Sequence, residues 1–266
     1  MLAERRHQLI LRALRSGGTA TVANLSAQLD VSAATVRRDL LKLERDGCLT
    51  RVHGGAVIDE SQPPFIETAE VDVAAKDVIA AQAAAMIEDG QSIILGSGTS
   101  VCRLARQLHG RRLTVITNNL AAYEELAEDE TIDLMLLGGR FIRKSRSLDG
   151  FMVEDNLRQV HADWLFMGAC GIRRGGQVMG TATEVSARRA MIAASEKVVL
   201  LVDQSKFPGM GIVKICGPED LHVVVTNASS DATTCMTLKE AGVLVVQPIP
   251  SNYSEQIPIH EVPDRH

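Results

Sequence analysis

The sequence predicts an α/β protein in two parts: an N-terminal winged helix–turn–helix, then a Rossmann-like, mostly parallel sheet covered by helices on both faces. Three observations carry this. Residues 1–58 hold three helical apolar patterns followed by two short β-type runs around "HGG". Residues 59–72 are polar, contain Pro63–Pro64 and break both periodicities, which places a linker there. From 73 to about 250, short and almost wholly apolar strands alternate with helices, as expected for parallel strands buried on both sides. Aromatics are only 3% of a chain that is 45% hydrophobic, so both cores must be aliphatic.

In the first part, Ile10, Leu11 and Leu14 recur at helical spacing, and Ser16–Gly18 closes that helix. Val22, Leu25 and Leu29 share one face of a second helix. "VS" makes a tight turn, and Ser32 is placed to N-cap a third helix that runs to Gly47, a natural left-handed C-cap. On a wheel at about 100° per residue, Val36, Leu40 and Leu43 face the core. Ala34, Thr35, Arg38, Lys42 and Arg45 face outward. Small residues at the N-terminal end permit close approach to a groove, and the cations beyond suit base edges and phosphates.

Charge supports the same reading. The chain carries −5 formally, yet residues 1–58 hold nine Lys/Arg against five Asp/Glu, about +4, so the remainder carries about −9. Only the head is expected to meet an anionic polymer. One charged helix face alone would signify no more than solvation; its order with caps, turn and wing points to double-stranded DNA. The DNA-facing candidates are Ser32, Ala34, Thr35, Arg37, Arg38, Lys42, Arg45 and, on the hairpin, Arg51 and His53.

In sheets of the second kind, ligands bind beyond the carboxyl ends of the strands. After "SIIL" comes "GSGTS", where Ser97, Gly98, Thr99 and Ser100 offer backbone N–H groups, hydroxyls and a helix N-terminus to an anion. The Gly-Lys-Ser/Thr element of a P-loop is absent, and so is the third glycine of a dinucleotide fingerprint. Thr117 and Asn118 end the next strand, Gly138, Gly139 and Arg140 the one after, and Lys206 follows a late strand. Arg143, Lys144 and Arg146 suit a solvated loop, and "CGIRRGG" a flexible stretch able to close over a site. Asp149 and Glu184 are carboxylates near expected strand ends, and Glu184 is spaced to pair with Arg188 at i+4.

"S-x-x-T-V-R-R-D-L-x-x-L-E" and "R-V-H-G-G-A" closely resemble the winged helix–turn–helix of the DeoR family of bacterial transcriptional regulators. "LGSGTS", "VITNN", "LLGGR", "SLDG", "MGACGI" and "TEVSARRAMIAASEKVVLLVDQSKF" resemble that family's effector domain, which is similar in fold to ribose-5-phosphate isomerase. The resemblance implies operator binding, usually for repression, and a sugar-phosphate effector with the Gly-Ser/Thr loop on the phosphate and Lys206 near the sugar. The chain departs from the family pattern at Gly96, where an Asp is usual, and at Asn227, where an acidic residue is common.

The resulting expectation is a repressor of a carbohydrate-utilisation operon, modulated by a sugar phosphate or related anion and assembled as a homo-oligomer, dimer or tetramer. Two alternatives are weighed against it. An isomerase-like enzyme needs a positioned carboxylate base, and Asp149 and Glu184 make a poor set. A scaffold whose body only oligomerises needs no polar strand ends. Neither enzymatic activity, cofactor nor metal is expected. Five cysteines, none at C-x-x-C spacing, fit reduced thiols in a cytoplasm. Charges interrupt the apolar pattern of the first residues, so a secretory signal is not expected, and no apolar run is long enough to span a bilayer. The tail, 251–266, is polar.

Overall fold

A computed structural model describes residues 3–17, 19–45, 49–52, 54–57, 65–207, 209, 211, 213–229 and 232–248. Gly47, His53, residues 59–64 of the linker and the tail lie outside these. The backbone of Arg45 is described, but not its side chain.

The head comprises α1 (Ala3–Gly17), β1 (Thr19–Thr21), α2 (Val22–Leu29), α3 (Ala33–Arg45), β2 (Thr50–Val52) and β3 (Gly55–Val57). The wheel places the core correctly: Val36, Leu40 and Leu43 are buried with Ile10, Leu14, Leu25, Leu29 and Ala56. Thr21 caps α2 by accepting from Asn24 N–H at 3.1 Å, and Ser32 Oγ accepts from Thr35 N–H at 3.2 Å at the start of α3. Between the helices Asp30 takes a left-handed φ of 52°, which turns the chain in one residue. The wing is one strand richer than its pattern: β1 pairs antiparallel with β3, which also pairs with β2. Three residues are too few to show a period. Gly55 makes the close approach possible, because a Cβ there would meet the Ala20 carbonyl at 2.3 Å.

The stretch read as linker contains a short helix, α4 (Phe65–Ala69), which belongs with the body: Phe65 N–H donates to the Lys144 carbonyl at 2.7 Å. There follow α5 (Val73–Ala84), β4 (Ser92–Leu95), α6 (Thr99–Arg106), β5 (Leu113–Thr117), α7 (Leu120–Leu126), β6 (Ile132–Leu136), β7 (Arg140–Ile142), β8 (Ser147–Asp149), α8 (Phe151–Leu157) and β9 (Ala162–Met167). The chain continues through β10 (Gly171–Ile172), β11 (Val178–Gly180), α9 (Val185–Ala193), β12 (Ser195–Leu201), a 3-10 turn (Gln204–Lys206), β13 (Val213–Cys216), a second 3-10 turn (Pro218–Asp220), β14 (Val223–Val225), α10 (Thr233–Glu240) and β15 (Leu244–Val246).

Seven of these strands form one sheet in the order β15-β14-β12-β9-β4-β5-β6, and every pairing is parallel. Successive residues supply opposite faces: Ile93 and Leu95 enter one core and Ile94 the other, as do Val199 and Leu201 against Val198 and Leu200. The chain winds outward from β4 through β5 to β6, then crosses back to lay β9 on the other side of β4. The β4/β9 boundary is therefore the switch point of the sheet, where such folds open a crevice.

Arg143, Lys144 and Arg146 lie in the turn of the β7–β8 hairpin, as expected for a loop, but the strands on either side of it were not foreseen. The "CGIRRGG" stretch is not wholly a loop: Gly171–Ile172 form β10, its arginines and glycines make the turn to β11, and β11 pairs with β13 in a small antiparallel sheet. Strands of two or three residues are too short to show a period.

Candidate nucleic-acid interface and effector site

On α3, Ser32, Ala34, Arg37, Arg38 and Lys42 are exposed, and Thr35 is half-buried. Arg37, Arg38 and Lys42 have no ion-pair partner among the described residues. The Thr35 hydroxyl lies 2.9 Å from Ser32 Oγ, which fixes its rotamer at the outer end of the helix. The aspartate within "RRD" faces the other way. Asp39 is buried and takes a fork from Arg6, Nε at 2.5 Å and Nη2 at 2.9 Å, with His7 Nε2 at 3.1 Å, so it clamps α3 to α1. Burial pushes its carboxyl upward, but the bonds from Arg6 and His7 outweigh that and hold it below the usual range. Arg51 Nε pairs with Glu44 at 2.6 Å and its backbone N–H with the same carboxylate at 2.9 Å, which ties the wing to α3 while the side chain stays exposed.

In the body, the expected strand ends converge around the switch point. Ser97 follows β4 and is buried, and Gly98, at φ 136°, begins α6 with no side-chain cap. The first-turn N–H groups of α6, including those of Thr99 and Ser100, therefore have no side-chain acceptor. Gly168, after β9, touches this loop: its N–H approaches the Ser97 carbonyl at 3.4 Å. Arg188 spans the boundary. One guanidinium nitrogen donates to the Gly168 carbonyl at 2.7 Å; the other donates to Ser97 Oγ at 3.0 Å and to Glu184 at 3.2 Å. Glu184 also accepts from Ser147 Oγ at 3.3 Å, which draws β8 to the same place.

The other candidates divide. Thr117 is fully buried; its hydroxyl donates to the Leu95 carbonyl at 2.6 Å and accepts from Asn119 N–H at 3.0 Å, so it locks β5 to β4. Asn118 and its neighbour Asn119 are buried beside β8. Asn118 Nδ2 donates to the Leu148 carbonyl at 2.8 Å, and Asn119 Nδ2 reaches the carbonyls of Gly96 and Gly98. Gly139 serves packing, since a Cβ would meet Val153 at 2.8 Å and the Asp149 carbonyl at 2.9 Å. Arg140 is exposed on β7, opposite Asp149. Lys206, in the 3-10 turn after β12, is half-buried; its charge, with those of Arg188 and Glu184, is felt at Cys170.

The Glu184–Arg188 pair expected at i+4 is present, but the sequence did not single out Asn119, Ser145 or Ser147, nor the buried Lys76. Lys76 is buried on α5, its ammonium donating to the carbonyls of Thr68 and of Val71, the latter at 2.6 Å. Burial lowers its pKa, opposed by Asp203. A lysine near the start of an alanine-rich helical run, "AAKDVIAAQAAAM", is the available signal. Of the described cysteines, Cys170, Cys216 and Cys235 are buried, and burial pushes the Cys216 thiol up to about 12, which leaves it inert at neutral pH. No group of three or more His, Cys, Asp or Glu among the described residues could hold a metal ion, and no described helix is long and apolar enough to cross a membrane.

An exposed basic helix in a winged helix–turn–helix, with a cluster of buried polar side chains at the switch point of an α/β body, defines a DNA-binding regulator that carries a sensor. Residues 6–62 match the DeoR-like helix-turn-helix domain and residues 71–228 the DeoR C terminal sensor domain; the chain belongs to the DeoR family of transcriptional regulators and is not an enzyme. It is 36% identical over 214 residues to the lactose phosphotransferase system repressor of Lactococcus lactis subsp. lactis, covering 78% of this chain and 84% of that one. It is 33% identical over 232 residues to the transcriptional repressor AccR of Agrobacterium fabrum, covering 85% and 90%. With the HTH-type transcriptional regulator GolR of Listeria innocua the identity is 31% over 245 residues, covering 90% and 96%. Among solved structures, ribose 5-phosphate isomerase A of Methanocaldococcus jannaschii overlaps 49% of this chain and 52% of that one, with a TM-score of 0.37 and 19% identity. The parallel sheet itself, not this partial overlap, sets the fold class.

Proposed function

We propose that the protein is a cytoplasmic repressor of carbohydrate-utilisation genes whose grip on its operator is set by a sugar phosphate or a chemically similar anion. The relatives' names support repression and sugar operons. The observation that carries the effector class is the uncapped start of α6 at the switch point, faced by a glycine-lined loop and braced by Arg188. Unpaired N–H groups, a helix dipole and small residues are what a phosphate monoester requires. In this reading Ser97–Ser100 hold the phosphate, Lys206 stands near the sugar, residues 1–58 act as the head, and the body from α4 to about residue 250 senses and assembles. Operator discrimination comes from Thr35 and Arg38 at base edges, with Arg37, Lys42 and Arg45 on phosphates.

One short recognition helix contacts too little DNA for tight specific binding, so the working form is a homo-oligomer that pairs two heads on repeated half-sites. Exposed Met135 and Leu136 on edge strand β6, Phe141 on β7, and Phe151 and Met152 opening α8 support assembly through that side of the body. A monomer by light scattering that still holds its operator at nanomolar concentration overturns this part.

Calorimetry tests the effector reading with matched pairs, glucose against glucose 6-phosphate and ribose against ribose 5-phosphate. A phosphorylated member should bind much more tightly than its parent sugar. Thr99→Glu, which sets a carboxylate where the phosphate belongs, should abolish the response while operator affinity without effector stays unchanged. Equal binding of each pair, or an intact response in the variant, means that residues 96–100 are only a turn.

A further inference from the structure

Three buried side-chain atoms near the switch point have no hydrogen-bond partner among the described residues: Asn118 Oδ1, Asp149 Oδ1 and Arg188 Nε. Their residues are 4%, 3% and 4% exposed. A buried polar atom without a partner is costly and rare in a folded protein, and it asks for an explanation beyond packing. Two of the three are acceptors, and they sit on one wall. Leu148 N–H donates to the Asn118 carbonyl at 2.8 Å, the Asn118 amide returns a bond to the Leu148 carbonyl, and Asp149 is the next residue of β8. Asp149 also feels the charge of Glu184, whose carboxylate is occupied by Arg188 and Ser147.

The polar groups around the switch point are therefore of two opposite kinds. At the α6 end are donors, the first-turn N–H groups. At the β8 end are acceptor oxygens. A phosphate cannot lie against Asn118 Oδ1 and Asp149 Oδ1, because acceptor would face acceptor. A group that donates can.

Building on the effector reading above, we propose that Asn118 Oδ1 and Asp149 Oδ1 accept hydrogen bonds from hydroxyl groups of the effector and set its specificity. The ligand class is a polyhydroxylated phosphate monoester that lies with its phosphate on Ser97–Ser100 and its hydroxyl-bearing end on β8. Arg188 is a positioning residue: its bonds to Ser97, Gly168 and Glu184 hold the two ends in register. From sequence alone Asp149 offers only a base for isomerisation; in this proposal it reads hydroxyls.

Asp149→Asn is the test. It keeps the side chain's shape, removes the charge and replaces one of the two carboxylate oxygens by a donor. Binding of inorganic phosphate, glucose 6-phosphate, fructose 6-phosphate and ribose 5-phosphate is measured by calorimetry on the full chain, for wild type, Asp149→Asn and Thr99→Glu. The tightest sugar phosphate should bind wild type at least tenfold better than inorganic phosphate. Asp149→Asn should lose roughly tenfold to a hundredfold of that affinity while inorganic phosphate binds as before. Thermal unfolding of the free variant should be unchanged or raised, since a buried acceptor without a partner stabilises nothing.

The outcomes separate. If no phosphate-bearing probe binds wild type, or Thr99→Glu binds as well as wild type, the phosphate reading fails and this proposal with it. If that reading holds but Asp149→Asn binds the sugar phosphate normally, or loses sugar phosphate and inorganic phosphate alike, only the hydroxyl contact is overturned. A fall of several degrees in the free variant's Tm makes Asp149 structural and overturns the contact as well.

Discussion

Arg38 on α3 and Arg188 on α9 are both helical arginines, and the two regions use them in opposite ways. Arg38 is exposed, beside Arg37 and Lys42, with no ion-pair partner among the described residues. Arg188 is 4% exposed and tied to Ser97, Gly168 and Glu184. In the proposed reading Arg38 stays solvated and unpaired because its partner is a polymer that arrives from outside and displaces counterions. A charge inside a buried polar cluster must be desolvated and held, and burial demands a partner for it. The head also has a buried arginine–carboxylate clamp, Arg6 on Asp39, but it lies on the inner side of α3, one residue from Arg38. Adjacent positions on one helix thus follow the two rules.

The comparison breaks most sharply at Arg188. Arg188→Leu should destabilise the body by about 3–5 kcal/mol, because Glu184 is left buried with only hydroxyls for partners, and Tm should fall by on the order of 10 °C. The double variant Arg188→Leu with Glu184→Leu should recover much of the loss. If the single variant unfolds like wild type by calorimetry, the pair does not hold the cluster together. Arg38→Ala should leave stability within about 0.5 kcal/mol. It should remove about 1–3 kcal/mol of operator discrimination, read by titrating specific against scrambled DNA. Equal footprints for variant and wild type would mean that a different face reads the bases.

Acid sharpens the contrast within the head. The folded pKa of Asp39 is depressed, so its contribution is present in full above the ordinary carboxylate value and is lost as pH falls through the lower folded value. Head stability, followed by denaturant unfolding, should hold steady down to about pH 5 and decline below the range in which free aspartate titrates. Asp39→Asn should flatten that decline. The smallest effect belongs to Lys42: Lys42→Ala should weaken all DNA sequences alike and reduce the salt dependence by about one unit of slope, measured from 50 to 200 mM salt.

The head was legible because its information is local. A period of 3.6 residues assigns Val36, Leu40 and Leu43 inward and Ala34, Arg38 and Lys42 outward with no knowledge of the rest of the chain. What it hid were contacts between elements: Arg51 held by Glu44, Asp39 held by Arg6 and His7, and the strand β1 that completes the wing. None has a period or a spacing to betray it.

In the body, the apolar runs determined the parallel sheet, and the rule that ligands lie beyond strand ends singled out Ser97, Asn118 and Glu184. The sequence did not determine which strand ends are neighbours. Strand order places β9 beside β4, and only then do Ser97, Gly168 and Arg188, residues that are 91 positions apart at their extremes, meet within hydrogen-bond distance. Tertiary structure also decided that Thr117 is locked to Leu95, that Gly139 is a packing glycine, and that Asn118 and Asp149 keep an oxygen without a partner among the described residues. Residue type sets what a side chain can donate or accept. Whether a neighbour has already taken that capacity depends on long-range packing, and a linear pattern does not encode it.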